Sequence, residues 1–228
     1  MTSLYLFDIE GTTTDINFVH KVLFPYAAQN MQQFILNHQD EPVVAAAIAK
    51  VRDTVSAEEN KKKLLTHEVT AKLLSWIKED RKHPALKEIQ GLIWDQGYTK
   101  NHFKGHVYPD VLPFFKLILS RGHKIGIYSS GSVHAQKLIF GFSLEGDLTP
   151  LISCYFDTKV GAKREKSSYA QIALETGLSP REIHFFSDIS QELGAAEAAG
   201  LKVTLVSREG CKESPYECIT SFNEVSFT

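Results

Sequence analysis

The sequence predicts an α/β fold, a Rossmann-like doubly wound parallel sheet core with an inserted all-helical segment. Three observations carry this. Short apolar runs of strand length recur along the chain, and the first, Leu4-Tyr5-Leu6-Phe7, is apolar at every position, as a strand covered by helices on both faces is. From about 110 to 206 these runs alternate with helical patterns, the order that builds a parallel sheet. Between about 16 and 105 apolar residues recur only at helical spacing, with no convincing strand.

In order along the chain, Leu4-Tyr5-Leu6-Phe7 reads as a central strand stopped by Asp8-Ile9-Glu10-Gly11. Phe18 to Asn37 spaces Val22, Tyr26 and Phe34 as a helix, and Pro42 to Val55 is rich in Ala and Val. Glu68 to Glu79 sets Val69, Leu73, Leu74 and Ile77 on one stripe, and Pro84 to Trp94 does so with Leu86, Ile89, Leu92 and Ile93. The run Lys61-Lys62-Lys63 reads as a solvated face or loop. Val111 to Ser120 is amphipathic and stops at Arg121-Gly122, before the strand Lys124 to Tyr128. Cys154-Tyr155-Phe156 is a weaker strand, and Ser167 to Glu175 a helix closed by Gly177. Ser179-Pro180-Arg181-Glu182 carries a capping pattern, Ser at N-cap, Pro at N1 and Glu at N3. Strands Ile183 to Phe186 and Leu201 to Val206 then flank a helix, Gln191 to Ala199. The division expected is 1–15 and 106–228 as the α/β core and 16–105 as the helical insert.

Composition excludes partners more than it names them. With 43 % hydrophobic and 23 % charged residues, the 228-residue chain is globular rather than disordered. A net charge of −2 gives no basic excess for nucleic acid. No apolar run approaches the ~18 residues of a membrane span. No leader is expected at the start. The odd number of cysteines, Cys154, Cys211 and Cys218, fits a reducing compartment better than a disulfide scaffold. The expectation is a cytoplasmic monomer with neither a nucleic-acid nor a membrane partner, the nucleus being a second compartment should the source be eukaryotic.

Chemistry is suggested by where the polar residues fall. In open α/β sheets ligands bind outside the carboxyl ends of the strands. Asp8 and Glu10 end the first strand and, two apart, would share a face of extended chain. Ser129 and Asp188 end two others, and Lys163 precedes a helix. Asp8 and Asp188 are hard oxygen donors suited to Mg2+. Lys163 would neutralise a phosphate, while Ser129 and backbone N–H groups near Gly131, at a helix N-terminus, would bind its oxygens. One carboxylate could attack phosphorus while a second protonates the leaving oxygen. Singly, each residue has a bland reading as a turn, cap or solvated lysine; it is the order of the four that favours a site.

These residues resemble a family. Phe7-Asp8-Ile9-Glu10-Gly11-Thr12-Thr13-Thr14 is similar to the first motif of the haloacid-dehalogenase-like hydrolases, and Ser129, Lys163 and Asp188 to the second, third and fourth. The helical insert resembles a cap placed after the first strand. Glu10 in place of the usual Asp, and the three threonines, are similar to the enolase-phosphatase (acireductone synthase) branch. So are Gly91–Tyr98, His106–Val111, Tyr128–Ser132 and Phe156–Gly161.

The resemblance implies a Mg2+-dependent enzyme of methionine salvage that enolises 2,3-diketo-5-methylthiopentyl-1-phosphate, then dephosphorylates it to an acireductone. It implies Asp8 as nucleophile and metal ligand, Glu10 as metal-site residue and acid/base, Ser129 and Ser130 as substrate-binding, Lys163 as phosphate-binding and Asp188 as metal ligand. The base for enolisation is either Glu10 or a residue of the cap. His20, Tyr98, Lys100 and His106 lie near the junctions, with packed or solvated roles favoured over catalysis. The rival readings are a Mg2+-dependent phosphatase for another small metabolite, a haloacid dehalogenase and a phosphoaccepting signalling module.

Overall fold

The computed structural model describes residues 2–59 and 64–226, so the Lys61–Lys63 run lies outside the described residues. The strands are β1 (Leu4–Phe7), β2 (Lys124–Tyr128), β3 (Cys154–Phe156), β4 (Ile183–Ser187), β5 (Lys202–Val206) and β6 (Cys218–Ile219). They form a parallel sheet in the order β3-β2-β1-β4-β5-β6. β1 is central, pairing Leu4 with Lys124 on one side and with Ile183 on the other. The strand order reverses between β1 and β4, the point at which such sheets leave a crevice at their carboxyl ends.

Alternation along β1 shows why its sequence is apolar throughout. Leu4 and Leu6 join Tyr128, Phe185, Tyr169, Ile172 and Leu193 in one buried cluster. That cluster draws on α8 (Lys166–Thr176) and α9 (Ser190–Ala198). Phe7 points the other way, stacked on Phe186 at 5.0 Å and edge-on to Phe114 of α6 (Val111–Ser120) at 6.0 Å. Each of these fully buried side chains contributes roughly 1.5–3 kcal/mol of apolar burial.

The chain divides into two compact units, 1–18 with 104–228, and 19–103. The second holds a π-helical stretch, Val19–Leu23, and helices α2 (Phe24–His38), α3 (Pro42–Glu59), α4 (Thr66–Lys78) and α5 (Pro84–Thr99). The α1 turn, Ile16–Phe18, belongs to the first. The single helix expected over 18–37 is therefore broken. Pro25 falls in the first turn of α2, where its missing N–H costs nothing. α5 runs past Trp94 to Thr99 because Gly97 permits close packing: a Cβ there would lie 2.5 Å from Phe103 and 2.8 Å from Tyr26. The interior of this unit includes Met31, Ile35, Val51, Leu73, Trp76 and Ile89.

The capping pattern at Ser179 is present, with the Ser179 N–H donating to Glu182 at 2.8 Å, and it opens a 3-10 turn, Pro180–Glu182, that passes directly into β4. α7 (Val133–Gly141) is the helix expected after Gly131, and β6 is an element the sequence did not predict. The cysteine expectation is corrected: Cys211 and Cys218 form a disulfide, leaving Cys154 free; the seven-residue separation closes the loop between β5 and β6. Among the described residues no helix is long and apolar enough to cross a membrane.

Candidate active site

All six residues singled out from the sequence line one cavity of about 110 Å³: Asp8, Glu10, Ser129, Ser130, Lys163 and Asp188, together with Ile16, Ile189 and Glu192. The cavity lies at the carboxyl ends of β1, β2 and β4, beside the switch in strand order.

The route by which Asp8 and Glu10 reach it differs from the extended geometry expected. β1 ends at Phe7, and residues 9–14 coil into a tight turn in which the N–H groups of Thr12, Thr13 and Thr14 all donate to the Ile9 carbonyl. Gly11 makes the turn possible, with φ +74° and no room for a side chain, since a Cβ would lie 2.4 Å from Asp188 Oδ2. The three buried threonines have separate tasks. Thr12 Oγ1 accepts from the Asp188 N–H at 3.1 Å. Thr13 Oγ1 donates to the Asp8 carbonyl at 3.0 Å, and Thr14 Oγ1 to the His106 carbonyl at 2.8 Å.

Lys163 is buried, at 6 % exposure, and its Nζ lies 2.6 Å from Asp8 Oδ1 and 2.5 Å from Glu192 Oε2. Burial works to lower its pKa, but Asp8 and Glu192 outweigh burial and hold the ammonium above its ordinary value. Its loop is fixed by hydroxyls. Tyr128 donates to the Gly161 carbonyl at 3.0 Å, Ser168 to that of Ala162 at 2.7 Å and Tyr169 to that of Lys163 at 2.7 Å. Glu192 was missed by the sequence reading, because an acid in the first turn of a helix reads as a dipole-matching surface residue. The available signal was its position four residues after Asp188. The structure buries it against Lys163 and the Ser187 hydroxyl, which donates to it at 3.0 Å.

Asp188 follows β4. Its carboxyl is pushed up to about 7, first by burial and then by the charge of Asp8. Its Oδ1 is buried with no hydrogen-bond partner. Asp8, Asp188 and Glu192 face the single ammonium of Lys163, so the cavity carries more acid than base. A divalent cation beside Asp8 and Asp188 would relieve both the unpartnered oxygen and the repulsion. Among the described residues no group of three His, Cys, Asp or Glu side chains is gathered as a metal site. A cation here would therefore take two side-chain carboxylates and fill its other positions with backbone, substrate or water oxygens, the pattern that suits Mg2+.

Ser129 is buried and Ser130 exposed at the end of β2. The expected phosphate cradle at the next helix is not free. The Gly131 N–H donates to Ser129 Oγ at 3.1 Å, that of Val133 to Asp157 Oδ2 at 3.2 Å and that of Ala135 to the N-cap Ser132 at 3.2 Å. These three amides therefore already have partners within the protein. Among the residues near the junctions, His106 accepts from the Asp15 N–H through Nδ1 at 3.0 Å. Its neutral ring therefore carries its proton on Nε2 and offers no free lone pair to a substrate. Tyr98 is buried, with its ring 4.6 Å from that of Phe103.

A family model for haloacid dehalogenase-like hydrolases matches residues 2–200. Enolase-phosphatase E1 of Pseudomonas aeruginosa is 48 % identical over 220 residues, 96 % of each chain. That of Citrobacter koseri is 46 % identical over 220 residues, 96 % of this chain and 94 % of its own. Among solved structures, the UTR4 protein of Saccharomyces cerevisiae matches with a TM-score of 0.80 and 34 % identity, covering 99 % of this chain and 100 % of that one. A buried acid–lysine pair in a cavity at the sheet's switch point, on a sequence so similar to these relatives, places the chain in the enolase-phosphatase family of haloacid dehalogenase-like hydrolases, as a phosphatase enzyme.

Proposed function

We propose that the chain is a bifunctional enolase and phosphatase of methionine salvage. It enolises 2,3-diketo-5-methylthiopentyl-1-phosphate and then removes the phosphate to give an acireductone. The observation that carries the phosphatase half is the contact of buried Lys163 with buried Asp8 in a cavity shared with Glu10, Ser129 and Asp188. The substrate rests on the similarity to relatives named enolase-phosphatase.

Asp8 and Asp188, with the Glu10 backbone carbonyl, are the groups that would hold Mg2+. Bound there, the ion supplies positive charge at the transferring phosphoryl group and at the substrate carbonyl. Lys163 holds one oxygen of Asp8 and the phosphate, while Ser129 and Ser130 donate hydroxyls to phosphate oxygens. Asp8 attacks phosphorus in line; a bond from its carboxylate to phosphorus forms as the bond to the substrate oxygen breaks. Glu10, protonated, gives its proton to that departing oxygen. As a carboxylate it then takes a proton from water, whose oxygen attacks the aspartyl phosphate, releasing phosphate and restoring Asp8. Before this, Glu10 is the base we assign to enolisation, since it lines the cavity and His106 is engaged. The expected division, 16–105 as a helical cap domain and 1–15 with 106–228 as the core, is kept as part of this reading.

The test is incubation with the phosphorylated diketone and Mg2+, following the enol and phosphate separately. The reading expects an enol to precede phosphate. Phosphate release without an enol would leave a phosphatase for some other metabolite.

A further inference from the structure

Arg208, just after β5, does not line the cavity but reaches the turn that builds it. Its Nε and Nη2 both donate to the Thr12 carbonyl, at 3.0 and 2.7 Å. Its Nη1 donates to Asp110 Oδ2 at 2.6 Å and to the Thr220 carbonyl at 3.3 Å. The guanidinium lies between two rings, 4.2 Å from the centre of Tyr108 and 4.8 Å from that of Phe222. Asp110 Oδ2 is itself fixed by the Ser221 hydroxyl at 2.8 Å and the Phe222 N–H at 2.7 Å. The fork thus has one orientation, and it holds one backbone oxygen in the turn between Asp8 and Asp188.

That oxygen belongs to the residue whose hydroxyl receives the Asp188 N–H. Tyr108, stacked on the guanidinium, also donates its N–H to the Thr13 carbonyl at 3.0 Å. We propose that Arg208 is a positioning residue for the reaction: by clamping the Thr12 carbonyl it fixes the turn that ties Asp188 in place, and so sets how Asp8 and Asp188 share a cation. Asp110 neutralises the guanidinium locally, so its contribution is one of position rather than of charge at the phosphate. A lysine would keep the charge but lose the planar fork that serves the carbonyl and the carboxylate together. The proposal rests on the cation-site reading above.

The test uses the full chain as Arg208→Lys, Thr12→Val and Asp188→Asn. Thr12→Val keeps the carbonyl and deletes only the hydroxyl that holds Asp188, so it tests the same link if Arg208→Lys fails to fold. Mn2+ binding is read without substrate, from loss of the free-ion electron paramagnetic resonance signal. Mg2+ dependence, kcat and KM are read in the phosphatase assay. Both variants are expected to weaken Mn2+ binding and raise the half-saturating Mg2+ by about 10–100-fold, as loss of a ligand's supporting hydrogen bond does. The substrate KM at saturating Mg2+ should stay close to that of the parent. A lowered melting temperature with unchanged Mn2+ affinity in both variants, while Asp188→Asn loses binding, would overturn the proposal and leave Arg208 a structural residue. Unchanged Mn2+ affinity in Asp188→Asn would instead overturn the cation-site reading, and the proposal with it.

Discussion

Replacing Lys163 by Met removes the ammonium that pairs with Asp8 and Glu192 and keeps most of the volume. Each lost bond is a hydrogen bond to a charged group, worth about 1.5–3 kcal/mol, so the two together come to about 3–6 kcal/mol. Breaking a buried ion pair from one side costs about 3–5 kcal/mol, which agrees. The sign with pH follows from the acids left behind. Burial and then the charge of Asp8 already hold Glu192 above its ordinary value, against the pull of Lys163; without that ammonium it rises further, so the folded variant binds more protons than the parent and gains stability relative to it as pH falls. The deficit against the parent is therefore largest near neutral pH and shrinks as pH drops through the carboxylate range. Urea unfolding of both proteins at several pH values, with chelator present so that no stray cation replaces the ammonium, measures it. A deficit below about 1 kcal/mol, the size of an exposed pair, or one that does not change with pH, would refute the buried triad.

Glu10→Gln should leave phosphate binding near that of the parent while slowing both enol formation and phosphate release; normal turnover would remove Glu10 from the chemistry. Gly11→Ala should destabilise by about 1–3 kcal/mol in thermal melts, because the residue needs positive φ and its methyl would meet Asp188. His184, half-buried beside Thr204, is pushed down to about 4 by burial and then by Lys202, so the folded state binds fewer protons than the unfolded one between about 4 and 6.5. Parent stability should fall by up to about 3 kcal/mol as pH drops across that window, and His184→Gln should flatten the slope in urea titrations.

The sheet was readable because β1, β2 and β4 bury both faces, which leaves runs such as Leu4–Phe7 with no polar position. β6 was not, since two residues carry no periodicity; its pairing comes from β5 and the closed loop at Cys211–Cys218. The cysteine expectation failed for a related reason: counting says nothing of two residues seven apart that the sheet brings together. In the site, residues that present side chains at strand ends could be found from order alone. Those that act through the backbone could not. Tyr128, Ser168 and Tyr169 hold carbonyls of the Lys163 loop, yet in sequence they are ordinary members of a strand and a helix. The threonine run was visible as a family mark, but its division into three hydrogen bonds required the turn at Gly11.

The central claim, that Asp8 carries the phosphoryl group, is tested most directly by acid-quenching a single turnover with phosphate-labelled substrate and mapping the label. The account predicts hydroxylamine-labile label on the peptide bearing Asp8, absent in Asp8→Asn together with activity. Phosphate release from the parent with no label on that peptide, or full phosphatase activity in Asp8→Asn, would contradict it.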